Sequence, residues 1–439
     1  MSFFAPVSTP VLAEGYTPVL RRAFDHVRRV GNYAMVQAVV QLLGFSSGIL
    51  LVRWLPQREY AYFTIANAMQ ATLNILADIG ISVGVISIGG RVWQDRHRFG
   101  ELIKTGLIVR RRLAGIAFVI ITPILYAMLV RNGASSLYTL LLIVIVLVGF
   151  SIQLSIDVFA VVPRLRSDIA RIQTIDLVCA TARLALILGL VYVFSRAGLA
   201  VAIGSAAFFL QYLLLRGYAG KVIDLKASEN PDDRREMVRL IRKLAANALF
   251  YCLQGQITVF LITFFGQRTA EVAEVGALGR LAMISAVLMS TLTNIFVPAF
   301  ARCQDRARLR TLYLLIAGGV ALFSVIVLGA AAFFPDQFLF LLGSRYTHLH
   351  RELVLMVAVA VLTAFGSTLW MLNSSKAWIN GSWLYIPLTL ATQIALIPFT
   401  DFSTVAGVLI FNLISTVPAV LLNLGLSYRG FGNFGVRAE

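Results

Sequence analysis

The chain has 439 residues, of which 59% are hydrophobic and 13% charged, and it carries a formal net charge of +17. That hydrophobic share lies far outside the range of globular domains. The basic residues are spread over many short loops rather than gathered on one surface, which argues against a nucleic-acid partner.

Twelve apolar runs follow one another, near 32–52, 61–89, 107–130, 137–161, 174–194, 198–217, 244–266, 275–299, 312–334, 353–373, 382–400 and 404–427. Each is close to or above the roughly 20 residues needed to cross a hydrocarbon core of about 30 Å. They are continuous rather than alternating, so they predict helices and not the strands of a membrane barrel. Counting loops as lying on one side and the other by turn, 29 of the 38 Lys and Arg fall on the side of Arg21 and Arg22. Seven fall on the opposite side, and two, Arg183 and Arg280, lie within spans. Basic residues beside a span resist translocation, so the basic side is expected to be cytoplasmic and to hold both termini. The predicted class is an all-α membrane protein of twelve transmembrane helices in two six-helix lobes, multi-pass in a plasma membrane.

Residues 1–31 are expected to form a cytoplasmic N-terminal segment with no cleaved signal. Within it, residues 19–30, with Arg21, Arg22, Arg28 and Arg29, predict a short helix on the membrane surface. The N-lobe then covers 32–217. Arg53 closes its first span at the outer side, a common place for an interfacial anchor. In the second span Asn67, Gln70, Asn74, Asp78 and Ser82 recur every three or four residues and so share one helix face. A polar stripe of that length cannot face lipid. It either glues helices together or lines a wet cavity, and a carboxylate this deep makes Asp78 a candidate for carrying a coupling ion, H+ or Na+. The fifth span holds Arg183, with Asp176 two turns earlier on the same face. Arg183 is expected either to capture an anion in a cleft or to pair with Asp176 or Asp157.

A basic linker over 218–243 separates this lobe from the C-lobe at 244–428, and 429–439 form a cytoplasmic tail. Shifting the first half by 215 residues places Asn32 on Asn247, Gln41 on Gln256, Phe45 on Phe260, Arg53 on Arg268 and Glu59 on Glu274. The halves therefore read as a duplication. Six spans each makes them parallel repeats, whose substrate site would lie between them near the midplane. Arg280, in the eighth span, lies near enough to the outer end to snorkel, or else faces the cleft. Gly44-x-x-x-Gly48 and Gly80-x-x-x-Gly84 allow close helix approach. His348 and His350 lack a third ligand nearby, and no metal site is expected. Cys179, Cys252 and Cys303 suggest no disulfide framework. Nucleotide-binding and hydrolase motifs are missing from the sequence, and the outer loops are short, so an enzyme is not expected.

Leu51-Val-Arg-Trp-Leu-Pro-Gln-Arg-Glu-Tyr-Ala-Tyr-Phe, followed by Ala77-Asp78-Ile79-Gly80-Ile81, resembles the start of the polysaccharide-repeat-unit flippases. These belong to the multidrug/oligosaccharidyl-lipid/polysaccharide exporter superfamily. Val275-Gly276-Ala277, Pro298-Ala299-Phe300-Ala301-Arg302 and Leu342-Gly343-Ser344-Arg345-Tyr346 echo it in the second half. Ala61 and Trp54 depart from the family pattern. The resemblance implies a V-shaped pair of lobes around a cationic cavity that flips undecaprenyl-diphosphate-linked oligosaccharide across the bacterial inner membrane, for exopolysaccharide, capsule or O-antigen. It implies that arginines in the cavity hold the diphosphate, for which Arg53, Arg183 and Arg280 are the candidates, and the polar stripe adds Asn67, Gln70 and Asn74 as candidate substrate contacts. Membrane lipids, a polysaccharide polymerase and export proteins would be its partners, with no cofactor beyond the coupling ion. The competing readings are a multidrug or cation antiporter of the same superfamily, and a non-catalytic subunit of a polysaccharide assembly complex.

Overall fold

The structure, a computed structural model, describes residues 18–433 apart from 167, 283 and 284. In chain order its helices are α1 (Pro18–Trp54), α2 (Gln57–Asp78), α3 (Ile81–Val92), α4 (Arg96–Arg131), α5 (Ser136–Phe159), α6 (Val161–Leu165), α7 (Ile169–Leu186) and α8 (Ala197–Val222). There follow α9 (Pro231–Phe265), α10 (Thr269–Ala282), α11 (Ser285–Thr291), α12 (Val297–Arg302), α13 (Arg306–Phe333), α14 (Pro335–Leu342), α15 (His350–Ser375), α16 (Tyr385–Leu396) and α17 (Val405–Asn433). No strand occurs among the described residues. Among the described residues ten helical stretches are long and apolar enough to cross a membrane, and the α2–α3 pair, bent by 45°, makes an eleventh. The segment α10–α12 over 269–302 coincides with the remaining predicted span. Large apolar side chains such as Val119, Leu137, Val325 and Phe333 lie exposed on the surface, as a lipid solvent demands. The chain is a multi-span helical membrane protein.

Helix starts follow local chemistry. Asp95, Ser135, Asp168, Asn230 and Asp305 each accept backbone N–H groups of the helix they precede, and Pro231 stands at the first position of α9. These caps satisfy donors that the helix itself leaves unpaired. One expectation is corrected at the N-terminus. Residues 18–30 form no separate surface helix but continue unbroken into α1, whose 37 residues include them. Residues 1–17 and 434–439 lie outside the described residues.

The apolar interior shows how the lobes meet. Near the less basic end one cluster draws on both halves, joining Leu51, Tyr60 and Met69 to Leu278, Leu342 and Tyr346. Toward the basic end the interior divides in two. Ile81, Phe99, Val158 and Leu215 pack in the first lobe, and Phe300, Tyr313, Leu369 and Val420 in the second. The lobes are thus joined at one end and have separate cores at the other. Helix α9 breaks this pattern, because Met237 near its start belongs to the first lobe's core. Gly80, at φ +75°, and Gly84 leave room for α9's Leu244 and Met237, since a Cβ at the first would meet Leu244 at 3.0 Å and at the second Met237 at 3.2 Å. Both ends of the second small-residue motif therefore serve packing.

Candidate functional site

Between the lobes, bordered mostly by the second, lies a cavity of about 780 Å³. Helix α2 contributes Asn67, α9 contributes Tyr251, Gln254 and Gln256, α10 contributes Arg280, and α17 contributes Asn412 and Asn423. Gln254 and Gln393 exchange two amide hydrogen bonds of 3.1 and 2.8 Å, and Asn412 donates to Thr258 at 2.9 Å. Tyr251 and Tyr385 stack with ring centroids 5.1 Å apart. Arg280 is the one charged side chain among the described lining residues. The amides and the guanidinium can hold polar or anionic groups, the aromatic faces suit apolar or flat ones, and no carboxylate stands among the described lining residues.

Arg280 does not reach out to the membrane surface. Its Nε lies 3.5 Å from the Tyr60 hydroxyl, and its guanidinium lies over Phe63 at 5.6 Å. Its stem packs on α1 at Gly48, where an added Cβ would meet the Arg280 Cδ at 3.0 Å. Arg183, on α7, is half-buried and close enough to Arg280 for the two charges to oppose each other. Its Nε has no hydrogen-bond partner. Neither carboxylate that the sequence offered pairs with it. Asp176 accepts the Gln211 amide at 3.0 Å, and Asp157 is held by Arg110 at 2.6 Å. Neither Arg183 nor Arg280 makes an ion pair among the described residues. A half-buried cation with no resident counter-ion is costly within a membrane protein, and two together suit a place where an anion would be held.

The second-span stripe divides between two tasks. Asn67 reaches the cavity, while Gln70 faces Gln153 at 3.5 Å. Lower down, Asn74 accepts from Arg110 at 2.9 Å, and Ser82 donates to Asp78 at 2.6 Å across the break between α2 and α3. Arg110, near the start of the third predicted span and not singled out from the sequence, is fully buried and lies 3.5 Å from Asp78. A signal for it existed in the sequence. Arg110, Arg111 and Arg112 are consecutive, and three successive residues sweep about 200° of a helix, so they cannot all face water.

Arg53 lies away from the cavity, at the less basic end. It donates to the carbonyls of Phe340 and Leu341, while Arg345 donates to the Leu55 carbonyl at 2.7 Å. Each lobe thus caps the C-terminal end of a helix in the other. Beside this pair the Tyr60 hydroxyl donates to the Gly276 carbonyl at 3.2 Å, and Thr64 presses against Gly276. Glu59, from the Glu-Tyr pair, accepts the Tyr138 hydroxyl at 2.6 Å and caps α8 through the Ala197 N–H at 2.7 Å. At the basic end, Arg98 makes a two-pronged pair with Asp233, both bonds 2.6 Å, which fastens the start of α9 to α4. His97 pairs with Asp224 at 3.0 Å.

No protein-family model and no curated protein sequence matches this chain. Solved structures do match in shape. A multidrug resistance MATE family transporter of the MOP superfamily, in an inward-facing conformation, superposes with a TM-score of 0.66 at 16% identity, over 90% of this chain and 98% of the other. The same comparison with an outward-facing conformation of such a transporter gives 0.56 at 17% identity, over 92% and 95%. A MOP superfamily transporter from Pyrococcus furiosus, described as having a binding pocket of reverse polarity that suggests a different function, gives 0.62 at 17% identity, over 91% and 95%. At these identities the likeness establishes the fold: the chain adopts the two-lobed, all-helical architecture of those transporters.

Proposed function

We propose that this protein is an alternating-access transporter of a plasma membrane, open to the cytoplasm in this structure, that exports an amphipathic organic molecule bearing an anionic group. The observation that carries the reading is that Arg183 and Arg280, close enough for their charges to oppose each other, have no carboxylate partner among the described residues, and that Arg280 stands in the wall of a cavity lined by amides and tyrosines. Two separate cores at the basic end and one shared core at the other fit an inward-open state, as does the higher score against the inward-facing neighbour.

Of the functions expected from the sequence, the solved structures back the antiporter better than oligosaccharide flipping, because the MATE neighbours are described as multidrug transporters. The charge of the cavity sets the cargo apart from a cationic drug. The Pyrococcus neighbour, with its reversed pocket polarity, is a precedent for such variation within this fold. Exchange against a cation through Asp78 and Asp157 would drive export, and a membrane potential negative inside pushes an anion the same way.

Flipping of a lipid-linked oligosaccharide stays as a second reading, since two neighbouring guanidiniums suit a diphosphate. Proteoliposomes separate the two. Uptake of a carboxylate-bearing dye driven by a pH gradient, lost in Arg280→Ala and Arg183→Ala, supports the antiporter. Scrambling of a fluorescent undecaprenyl-diphosphate sugar without dye uptake supports the flippase. Transport of a cationic dye alone overturns the anion assignment.

A further inference from the structure

Arg280 belongs to the second lobe, yet its hydrogen bond, its ring contact and the gap for its stem all come from the first. Gly48 of α1 leaves the space that its Cδ fills, Phe63 of α2 lies under the guanidinium, and the Tyr60 hydroxyl accepts from Nε at 3.5 Å. Tyr60 and Phe63 are buried, with ring centroids 5.9 Å apart. The same hydroxyl donates at 3.2 Å to the carbonyl of Gly276, which stands one turn before Arg280 on α10. A phenol hydroxyl can donate and accept at once, so one oxygen ties the backbone of α10 to the arginine that α10 carries. Thr64, one turn beyond Tyr60, presses on Gly276 where any side chain would intrude, and this brings α10 within reach of Tyr60.

This socket takes up one edge and one face of the guanidinium. The Nη atoms make no hydrogen bond among the described residues, and Asn67, one turn beyond Phe63, lines the same cavity as Arg280. The paired terminal N–H groups, which suit a carboxylate or a phosphate, are thus left unused. A guanidinium fixed before an anion arrives binds it without first giving up its own freedom. Gly48, Tyr60 and Phe63 hold it only while the lobes are joined at the less basic end, because all three leave with the first lobe when the lobes part there. Arg183 leaves with them, since α7 is also part of that lobe.

We infer that Tyr60 makes the anion affinity of the cavity depend on the joint at the less basic end, high while that joint is closed and low once it parts. Tyr60 is a positioning residue, since it acts through Arg280. By linkage the relation runs both ways, and a bound anion favours the closed joint by the same factor. Cargo is thereby taken up at the basic end and given up at the other, and the turn with cargo bound is the step that a driving force must push. This inference rests on the transport reading above and concerns the regulation of its site.

Spin labels at Gln94→Cys and Gln304→Cys, exposed at the basic ends of the two lobes, report their separation in the full-length protein with its native cysteines replaced by serine. Arg53→Ala/Arg345→Ala serves as the background, because these residues line a different cavity and weaken the joint without touching the anion site. The probe is carboxyfluorescein, its binding followed by fluorescence anisotropy. Saturating dye is expected to raise the ratio of open to closed basic ends by about fivefold or more, the lower end of ordinary coupling between sites. Tyr60→Phe, which keeps the ring and removes the hydroxyl, takes away most of that response. Arg280→Lys keeps the charge but offers Tyr60 no Nε, so some binding remains while the response is lost. A merely structural tyrosine would change the melting temperature and the starting ratio and leave the response to dye in place. Should Tyr60→Phe not fold, Gly48→Ala, whose Cβ would stand 3.0 Å from the Arg280 Cδ, must reduce the response. Dye that binds the unmodified protein but moves no labels in the double variant, or a response unchanged in both Tyr60→Phe and Arg280→Lys, overturns the inference and leaves the transport reading standing. Failure of the dye to bind the unmodified protein overturns the inference together with the antiporter reading.

Discussion

The two arginines that tie the lobes together at the less basic end allow a quantitative prediction. Arg53 donates twice to α14 and Arg345 once to the end of α1, so three bonds to charged donors form in the inward-open state. They must break if the lobes part there. A hydrogen bond to a charged group contributes about 1.5–3 kcal/mol when buried. Arg53 and Arg345 are both exposed, and screening by solvent reduces each of the three bonds to about 0.5–1 kcal/mol. The combined contribution is then about 2 kcal/mol, which corresponds to roughly a 30-fold change in the equilibrium between inward-open and outward-open forms. The Arg53→Ala/Arg345→Ala double variant should therefore shift the label distance between positions 94 and 304 toward a closed basic end, with each single variant in between. Distance distributions by pulsed electron resonance, taken with thermal melting to exclude unfolding, measure this directly. A double variant with an unchanged distribution would refute the claim that these bonds hold the state.

Three further outcomes follow from neighbouring geometry. Gly276→Val should disfavour the inward-open state in the same direction, because a Cβ there overlaps Thr64, and Thr64→Ala should partly restore it; the same label pair reads both. Arg98→Ala should lower the melting temperature, since it leaves Asp233, whose side chain is 4% exposed, with an uncompensated charge that costs about 3 kcal/mol; the swap Arg98→Asp with Asp233→Arg should recover part of the loss. His97 is held above the ordinary histidine value, chiefly by its hydrogen bond to Asp224. Its attraction for the linker is complete below the ordinary value and is lost as pH rises through the raised one, so amide exchange around 223–228, corrected for intrinsic rate, should quicken from pH 6 to 9 and be flat in His97→Gln.

Fold and site were not equally legible in the sequence. Span positions depend on runs of apolar residues, a strong and purely local signal, and the helices coincide with the predicted runs within a few residues over most of the chain. The surface helix at 19–30 differed because four arginines suggested an interface, while backbone continuity into α1 depends on no local break between them. The stripe from Asn67 to Ser82 was visible because its spacing is helical. Its division between a cavity and Arg110 was not, since that depends on which helices surround α2. Gln254, Gln393 and Asn412 were missed for the same reason: one amide per span looks like ordinary packing until two helices face each other.

Arginines show where such reading stops and what replaces it. Sequence gives a residue's depth along the membrane normal, and by depth Arg53 and Arg280 both lie toward the outer end of a span while Arg110 lies at the basic end of one. Function depends on the group that faces each guanidinium. Arg53 and Arg345 face backbone carbonyls at helix ends, a contact that exists in one arrangement of the lobes and so can bias their equilibrium. Arg98 and Arg110 face carboxylates, the first closing a joint and the second sharing its charge between two acids that can accept a proton. Arg183 and Arg280 face no acid among the described residues, and it is this lack of a resident partner, more than their depth, that reserves them for an anion arriving from outside.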